Sequence, residues 1–284
     1  MIDPITALTL TFCSKSPLVI KVLGPTADYL GDGLKTFNEK RVQNLKRIFT
    51  RSSEKMDKQG RSTGAVPPRV LKNILDEGSY VDNELAAEYF SGALAASKSE
   101  CPRDDRALTI LKLLSSMSNY QIRSHYIRYN AFRETFLNSD KFNVTEANKS
   151  TKCELFFPIS QFINSFILEQ GEDINTILEH ALPSLATRNL IGINYAYGEK
   201  EFLKNRFKPV DNDGIIVSPS LLGAQLFLAA HGYLDISANE LCDSNLDLEI
   251  WDGITPLKEV VATQETQSKV PNMPTRPNTP VLSI

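Results

Sequence analysis

Long apolar runs are missing from this chain. No stretch reaches the roughly 18 consecutive apolar residues that a spanning helix needs. The nearest approach, residues 5–23, is interrupted by three threonines, Lys15 and Pro17. It also lacks a basic stretch followed by a small-residue cleavage site, so it does not read as a secretory leader. A peripheral membrane contact is the one membrane role left to it. Histidine is scarce. His125, His180 and His231 fall in three separate predicted helices, with no Cys, Asp or Glu at metal-ligand spacing. The four cysteines, Cys13, Cys101, Cys153 and Cys242, are far apart and form no CxxC or CxxH pair. That pattern points to isolated reduced thiols in a cytosolic, cytoplasmic protein rather than to a disulfide framework or a zinc site. The G-x-S-x-G, H-E-x-x-H and Walker-type phosphate-loop motifs are absent as well. We therefore assign no catalytic residue, no cofactor and no metal. A nuclease site of scattered carboxylates stays open, because such a site assembles only in three dimensions. A net charge of −3 argues against a general basic coat, although a local basic patch fits within a balanced total.

What is present is helical periodicity. With 284 residues and 42% hydrophobic content, a packed core is within reach. From Thr26 to Lys58, Ala27, Leu30, Leu34 and Phe37 recur at three- and four-residue steps. Val42, Leu45, Ile48 and Phe49 continue the stripe, which predicts one long helix. Its other face is basic and includes Lys40, Arg41, Arg47 and Arg51. This is either a solvated face or an electrostatic landing site for nucleic acid, anionic lipid or an acidic partner. Residues 66–97 read as two helices joined by an acidic turn. Pro67 and Pro68 open the first, and Asp82 or Asn83 caps the second. Gly92, Ala93, Ala95 and Ala96 give the second helix a small-residue face for close approach by a neighbouring helix, which also allows a homodimer. The acids of this region, including Glu84 and Glu88, complement the basic helix within the molecule or across that dimer. A helix from residue 120 carries Tyr126 and Tyr129 among Arg123, Arg128 and Arg133. It is read either as core with snorkelling arginines or as a base-stacking surface.

The second half changes character after the polar stretch 138–151. A short strand ending at Phe157 and two helices come first. Then follow a strand-like Leu190-Ile191-Gly192-Ile193, a spacer, and a strand at Gly214-Ile215-Ile216-Val217. A helix capped by Ser218 with Pro219 in its first position comes next. Helix, strand, exposed turn, strand, helix is the order of a winged-helix unit. Its wing would hold Tyr195, Tyr197, Lys200, Lys204 and Arg206. Such units bind DNA or protein, or serve only as structure. From residue 239 the pattern dissolves, and prolines 271, 274, 277 and 280 mark an extended tail. The expected fold is mainly α. A helical domain with a long first helix covers 1–138, a winged-helix-like α+β subdomain covers 152–238, and a poorly ordered Pro-rich extension covers 239–284.

Several segments resemble the Abi-alpha family, a bacterial and phage-associated group linked to abortive infection. They are Leu23-Gly24-Pro25-Thr26-Ala27-Asp28-Tyr29-Leu30-Gly31, Asn44-Leu45-Lys46-Arg47-Ile48 and Val66-Pro67-Pro68-Arg69-Val70-Leu71. Asn83-Glu84-Leu85 and Leu94-Ala95-Ala96-Ser97 extend the match, as do Asn189-Leu190-Ile191 and the run from Val217 to Ala224. In that run Ser218 stands where the family usually has threonine, and Gly223 comes four residues after Pro219. The resemblance covers residues 17–232 and rests on structural motifs, so it carries no catalytic residue over. It implies an antiviral, anti-phage defence protein that binds a phage or host component without catalysis. Two other functions follow from the residues themselves. One is a nucleic-acid-binding regulator using the wing and the basic helix. The other is a membrane-disrupting effector using residues 5–23.

Overall fold

The computed structural model describes residues 26–60, 64–101, 103–206, 210–248, 251, 257 and 260–262, with 26–38 and 261 by backbone alone. The readings made for residues 5–23 and for the Pro-rich tail lie outside this set. The described chain is mainly helical. Helices α1 (Thr26–Lys58), α2 (Pro68–Asp76), α3 (Glu84–Ala96), α4 (Ala107–Ser115) and α5 (Asn119–Thr135) form the first half. The second half begins with α6 (Ala147–Ser150), β1 (Leu155–Pro158), α7 (Ile159–Phe166) and α8 (Ile174–Thr187). It continues with β2 (Ala196–Gly198), α9 (Lys200–Leu203), β3 (Gly214–Val217) and α10 (Leu221–Ala230). Local chemistry sets several boundaries. Asn83 caps α3 by accepting from the Ala86 amide at 3.1 Å. Ser118 and Gln121 form a reciprocal capping box at the start of α5.

Helix α3 lies at the centre. Every side chain from Leu85 to Ala96 is buried except Glu88. Its small residues let two other backbones come close. A methyl group added at Gly92 would sit 1.8 Å from the carbonyl oxygen of Ala230, so α10 crosses α3 at the one residue without a side chain. The small-residue face expected to receive a second copy is thus filled by the chain's own α10. Val70 and Ile74 of α2, Ile48 of α1 and Leu111 of α4 complete the packing around it.

The sheet is antiparallel. β1 pairs with β3 (Leu155↔Val217, Pro158↔Gly214), and β3 pairs with β2 (Ala196↔Ile216, Gly198↔Gly214). A two-residue strand, β4 (Val261–Ala262), extends the β1 edge, giving the order β2-β3-β1-β4. Both β1 and β3 are buried along their whole length, which explains their unbroken apolar sequences. Leu155, Phe157, Ile215 and Val217 face the main core. Phe156 and Ile216 face the other way and build a small second core with Ala196, Leu203 and Val210. The strand expected at Leu190-Ile191-Gly192-Ile193 is instead a helix stop. Asn189 adopts φ +55°, the Leu190 amide donates to Leu185 O at 2.8 Å, and the Asn189 amide donates to Ala186 O at 2.9 Å. This closes α8 with a Schellman motif. Leu190 and Ile191 are apolar because they plug the core, and the strand begins later, at Ala196.

Tyr126, Tyr129 and Arg128 on α5 are fully buried, so this helix presents no base-stacking surface. Arg133 instead donates to the carbonyls of Leu241, Asp243 and Leu246, holding the start of the C-terminal extension against α5. Leu241, Leu248, Leu257, Val260 and Ala262 of that extension are buried in the main core. A polar thread runs through the interior. The Tyr129 hydroxyl donates to Leu190 O at 2.8 Å and accepts from the Ser220 amide at 2.9 Å, joining the end of α8 to the start of α10. Gly223 leaves room for this, since a methyl there would sit 2.0 Å from the hydroxyl. His125 bridges Tyr89 Oη at 2.7 Å and Gly223 O at 3.1 Å. A carbonyl only accepts, so Nε2 carries the proton and Nδ1 accepts from Tyr89. Burial lowers this imidazole to about 3. Arg128 is also buried, with Nη1 donating to Ser124 O at 2.8 Å and the guanidinium 4.6 Å above Phe162, and burial lowers it to about 9.

Two outcomes follow for stability. Gly92→Ala forces α3 and α10 apart and lowers unfolding free energy by about 1–3 kcal/mol in urea titrations. For His125 the unfolded ring takes a proton near its ordinary value of 6.5, whereas the folded ring does so only near 3. The unfolded chain then holds the extra proton between these values. The contribution of His125 is complete above pH 6.5 and is lost as pH falls towards 3, at about 1.4 kcal/mol per pH unit. An NMR titration of the folded protein should show the His125 ring resonances flat between pH 7 and 5.

Candidate functional site

The two basic features expected to contact a partner meet different fates. On α1, the side chains of Arg47 and Arg51 turn inward to α3. Arg47 pairs with Glu84 and donates to Val81 O at 2.7 Å. Arg51 reaches Glu84 at 2.6 Å and Glu88 at 3.0 Å, and Lys55 reaches Glu88 at 2.5 Å. Arg41 donates to Ser79 Oγ at 3.1 Å and lies 4.5 Å over the Tyr80 ring. The helix therefore uses most of this charge to hold the acidic face of α3, within one molecule. The Glu84 carboxyl shows the balance. Burial would raise it, but the hydrogen bond from Arg51 and the charges of Arg47 and Arg51 together lower it. Lys40 remains exposed on the far part of α1.

The turn from Ile193 to Asp213 is the second feature. Its base is anchored by the small core under the sheet, through Leu203 and Val210. Arg206 pairs with Glu154 and donates to Asn194 O, which ties the turn to β1. Glu154 is nonetheless raised, because burial outweighs the pull of Arg206. Lys204 lies 3.3 Å from Glu201, and the backbone amide of Lys200 donates to Asp213 at 2.9 Å. Tyr195 and Tyr197 are half-buried against the core, and Tyr197 is raised by burial and then by the Glu179 and Tyr195 charges. Lys200, Lys204 and Arg206 are all exposed, and of the three Arg206 is the one tied to β1.

Two residues not singled out by sequence stand out on this turn. Ile193 is 78% exposed and Phe202 is 63% exposed. Ile193 ends the strand-like Leu190–Ile193 run, and Phe202 sits among charges, where hydropathy patterns pass over it. The neighbouring helix α8 exposes Glu179, follows Glu172 and Asp173, and holds His180 to Ser118 at 2.9 Å and Gln121 at 3.1 Å. The segment 194–213 itself contains four basic and four acidic residues. The surface is thus apolar at two points, with charges of both signs around them.

Among the described residues, Cys101, Cys153 and Cys242 form no disulfide, no cluster of His, Cys, Asp and Glu has the makings of a metal site, and no helix is long and apolar enough to cross a membrane. Comparison with protein-family models, with curated proteins and with solved structures found no match to this chain.

The α1–α3 ion pairs share partners, so they should be coupled. Glu88→Gln should cost about 1 kcal/mol, and a double-mutant cycle with Arg51→Gln should return less than the sum of the two single losses. Denaturation at low and high salt measures how much of this is screened.

Proposed function

We propose that the protein is an antiviral defence factor of the abortive-infection type, acting in the cytoplasm by binding a phage or host protein rather than by catalysis. The family reading comes from the resemblance over residues 17–232, and the Abi-alpha assignment is part of the proposal. The observation that carries the binding mode is the exposure of Ile193 and Phe202 on a turn whose base is rigidly packed. Exposed apolar side chains ringed by charges of both signs suit a protein surface.

The C-terminal half is, in this reading, a winged-helix-like unit. The chain order β1, α7, α8, β2, turn, β3 and the strand order β2-β3-β1 support it. In such a unit α8 would be the helix offered to DNA. Its exposed Glu179, with Glu172 and Asp173 at its start, opposes a phosphate backbone, so a protein partner is favoured.

Cells expressing the protein should resist a susceptible phage, scored as plating efficiency. Phe202→Ser should abolish protection while changing stability by only about 0.5 kcal/mol. Phage escape mutants should cluster in the gene of the bound component. Salt-dependent binding to duplex DNA that is lost on Lys200→Glu and Lys204→Glu, with protection unaffected by Phe202→Ser, would establish the nucleic-acid reading instead.

A further inference from the structure

A small pocket lies at the end of α1. It measures about 60 Å³ and is lined by Lys55, Lys58, Gln59, His231, Tyr233, Asp247 and Trp251. Gly232 follows α10 with φ +95°, and its lack of a side chain lets Gln59 approach, since a methyl there would meet Gln59 Nε2 at 2.7 Å. Gln59 Nε2 donates to His231 O at 2.9 Å. That leaves Gln59 Oε1 as a buried acceptor with no partner among the described residues. His231 is only 5% exposed and stacks on Trp251 at 4.6 Å, and its Nε2 is likewise buried without a partner. Lys58 and Asp247 also line it, as an ion pair with Nζ 3.9 Å from Oδ2. Lys55, which is paired with Glu88, forms part of the wall.

An unpartnered acceptor beside an unpartnered imidazole nitrogen and two ammonium groups defines a narrow class of ligand. It must accept several hydrogen bonds, carry negative charge and also donate one proton. We propose that this pocket binds a hydrogen-phosphate group, either the free ion or the phosphomonoester end of a larger molecule. Its P–OH donates to Gln59 Oε1, and its other oxygens accept from His231 Nε2–H, Lys55 and Lys58. Burial, then the charges of Lys55 and Arg133, keep the His231 ring neutral in the free protein, so one ring nitrogen is available to carry this proton. The pocket is too small for more than the phosphate group, so any remaining ligand lies outside it. Buried groups left unpaired cost stability, and a bound phosphate would relieve both at once.

The test uses the full chain, with the His231 ring followed by NMR during titration with inorganic phosphate up to ~10 mM, a range that reaches weak millimolar sites. A saturable shift of His231 is expected. Sulfate, which carries no proton at neutral pH, should bind at least roughly tenfold more weakly because it cannot satisfy Gln59 Oε1. Lys58→Gln, a change at a half-exposed position that leaves the core intact, should also weaken phosphate roughly tenfold. Titration with AMP separates the sources. Saturation of the same resonance by AMP assigns the group to a phosphomonoester, and failure of AMP to bind where phosphate does assigns it to the free ion. No saturable response to phosphate or AMP, equal binding of sulfate, or an unchanged affinity in Lys58→Gln overturns the proposal.

Discussion

The structure depends on burying one helix almost completely. Helix α3 can be buried because its backbone bonds are internal, most of its side chains are alanine, glycine and large apolar groups, and its buried hydroxyls are satisfied, Ser91 by Glu88 O and Tyr89 by His125. Burying such a helix requires neighbours on every side. The neighbours can reach it because Gly92 and the alanines leave its surface low, so that α10 touches backbone rather than side chain. Close approach increases dispersion contact, and it also makes the contact intolerant of added volume. The two acidic exceptions, Glu84 and Glu88, stand on the side facing α1, where arginine and lysine meet them. The ion pairs set the register of a long helix that would otherwise slide along an apolar groove.

A second constraint joins the halves. Residues of α5 belong to the same hydrophobic cluster as those of α8, α10 and β1. Apolar packing alone is not directional, and the polar thread through Tyr89, His125, Tyr129 and Ser220 supplies direction. Each of these groups has its partner at a specified backbone carbonyl, amide or side chain. A small displacement of α10 would strand several buried polar atoms together, which costs more than the loss of the same area of apolar contact. Arg128 shows the opposite choice. It is buried with one hydrogen bond and an aromatic face, and with Nε and Nη2 lacking partners among the described residues. Its charge is tolerated by a core that is otherwise dense.

The proposed binding role of the exposed turn draws on the packing of the sheet beneath it. The second small core beneath it, with Arg206 tied to Glu154, holds the base of the turn while Ile193 and Phe202 stay in solvent. A surface fixed in this way loses little conformational freedom on binding.

The sequence by itself determined the helices. The apolar stripe predicted α1 over Thr26–Lys58, and proline and asparagine at fixed offsets marked where α2 and α3 begin. The cap of α10 was expected at Ser218 but is Ser220, which accepts from the Gly223 amide at 3.1 Å, so the helix starts at Leu221 and Pro219 stays outside it. These features depend on neighbours three or four residues away, so a local pattern carries them. It also offered the acids of residues 66–97 as a complement to the basic helix. Only the tertiary structure decided that the pairing is within one chain, that the small-residue face belongs to α10, and that Leu190 and Ile191 are a plug rather than a strand. Burial looks the same in sequence whether an apolar pair sits in a strand or closes a helix. The exposure of Phe202, the fate of Tyr126 and Tyr129, and the unpartnered atoms of Gln59 and His231 are likewise settled by residues tens to more than a hundred positions away. A spacing rule cannot see such contacts, because it compares only residues that are close in sequence.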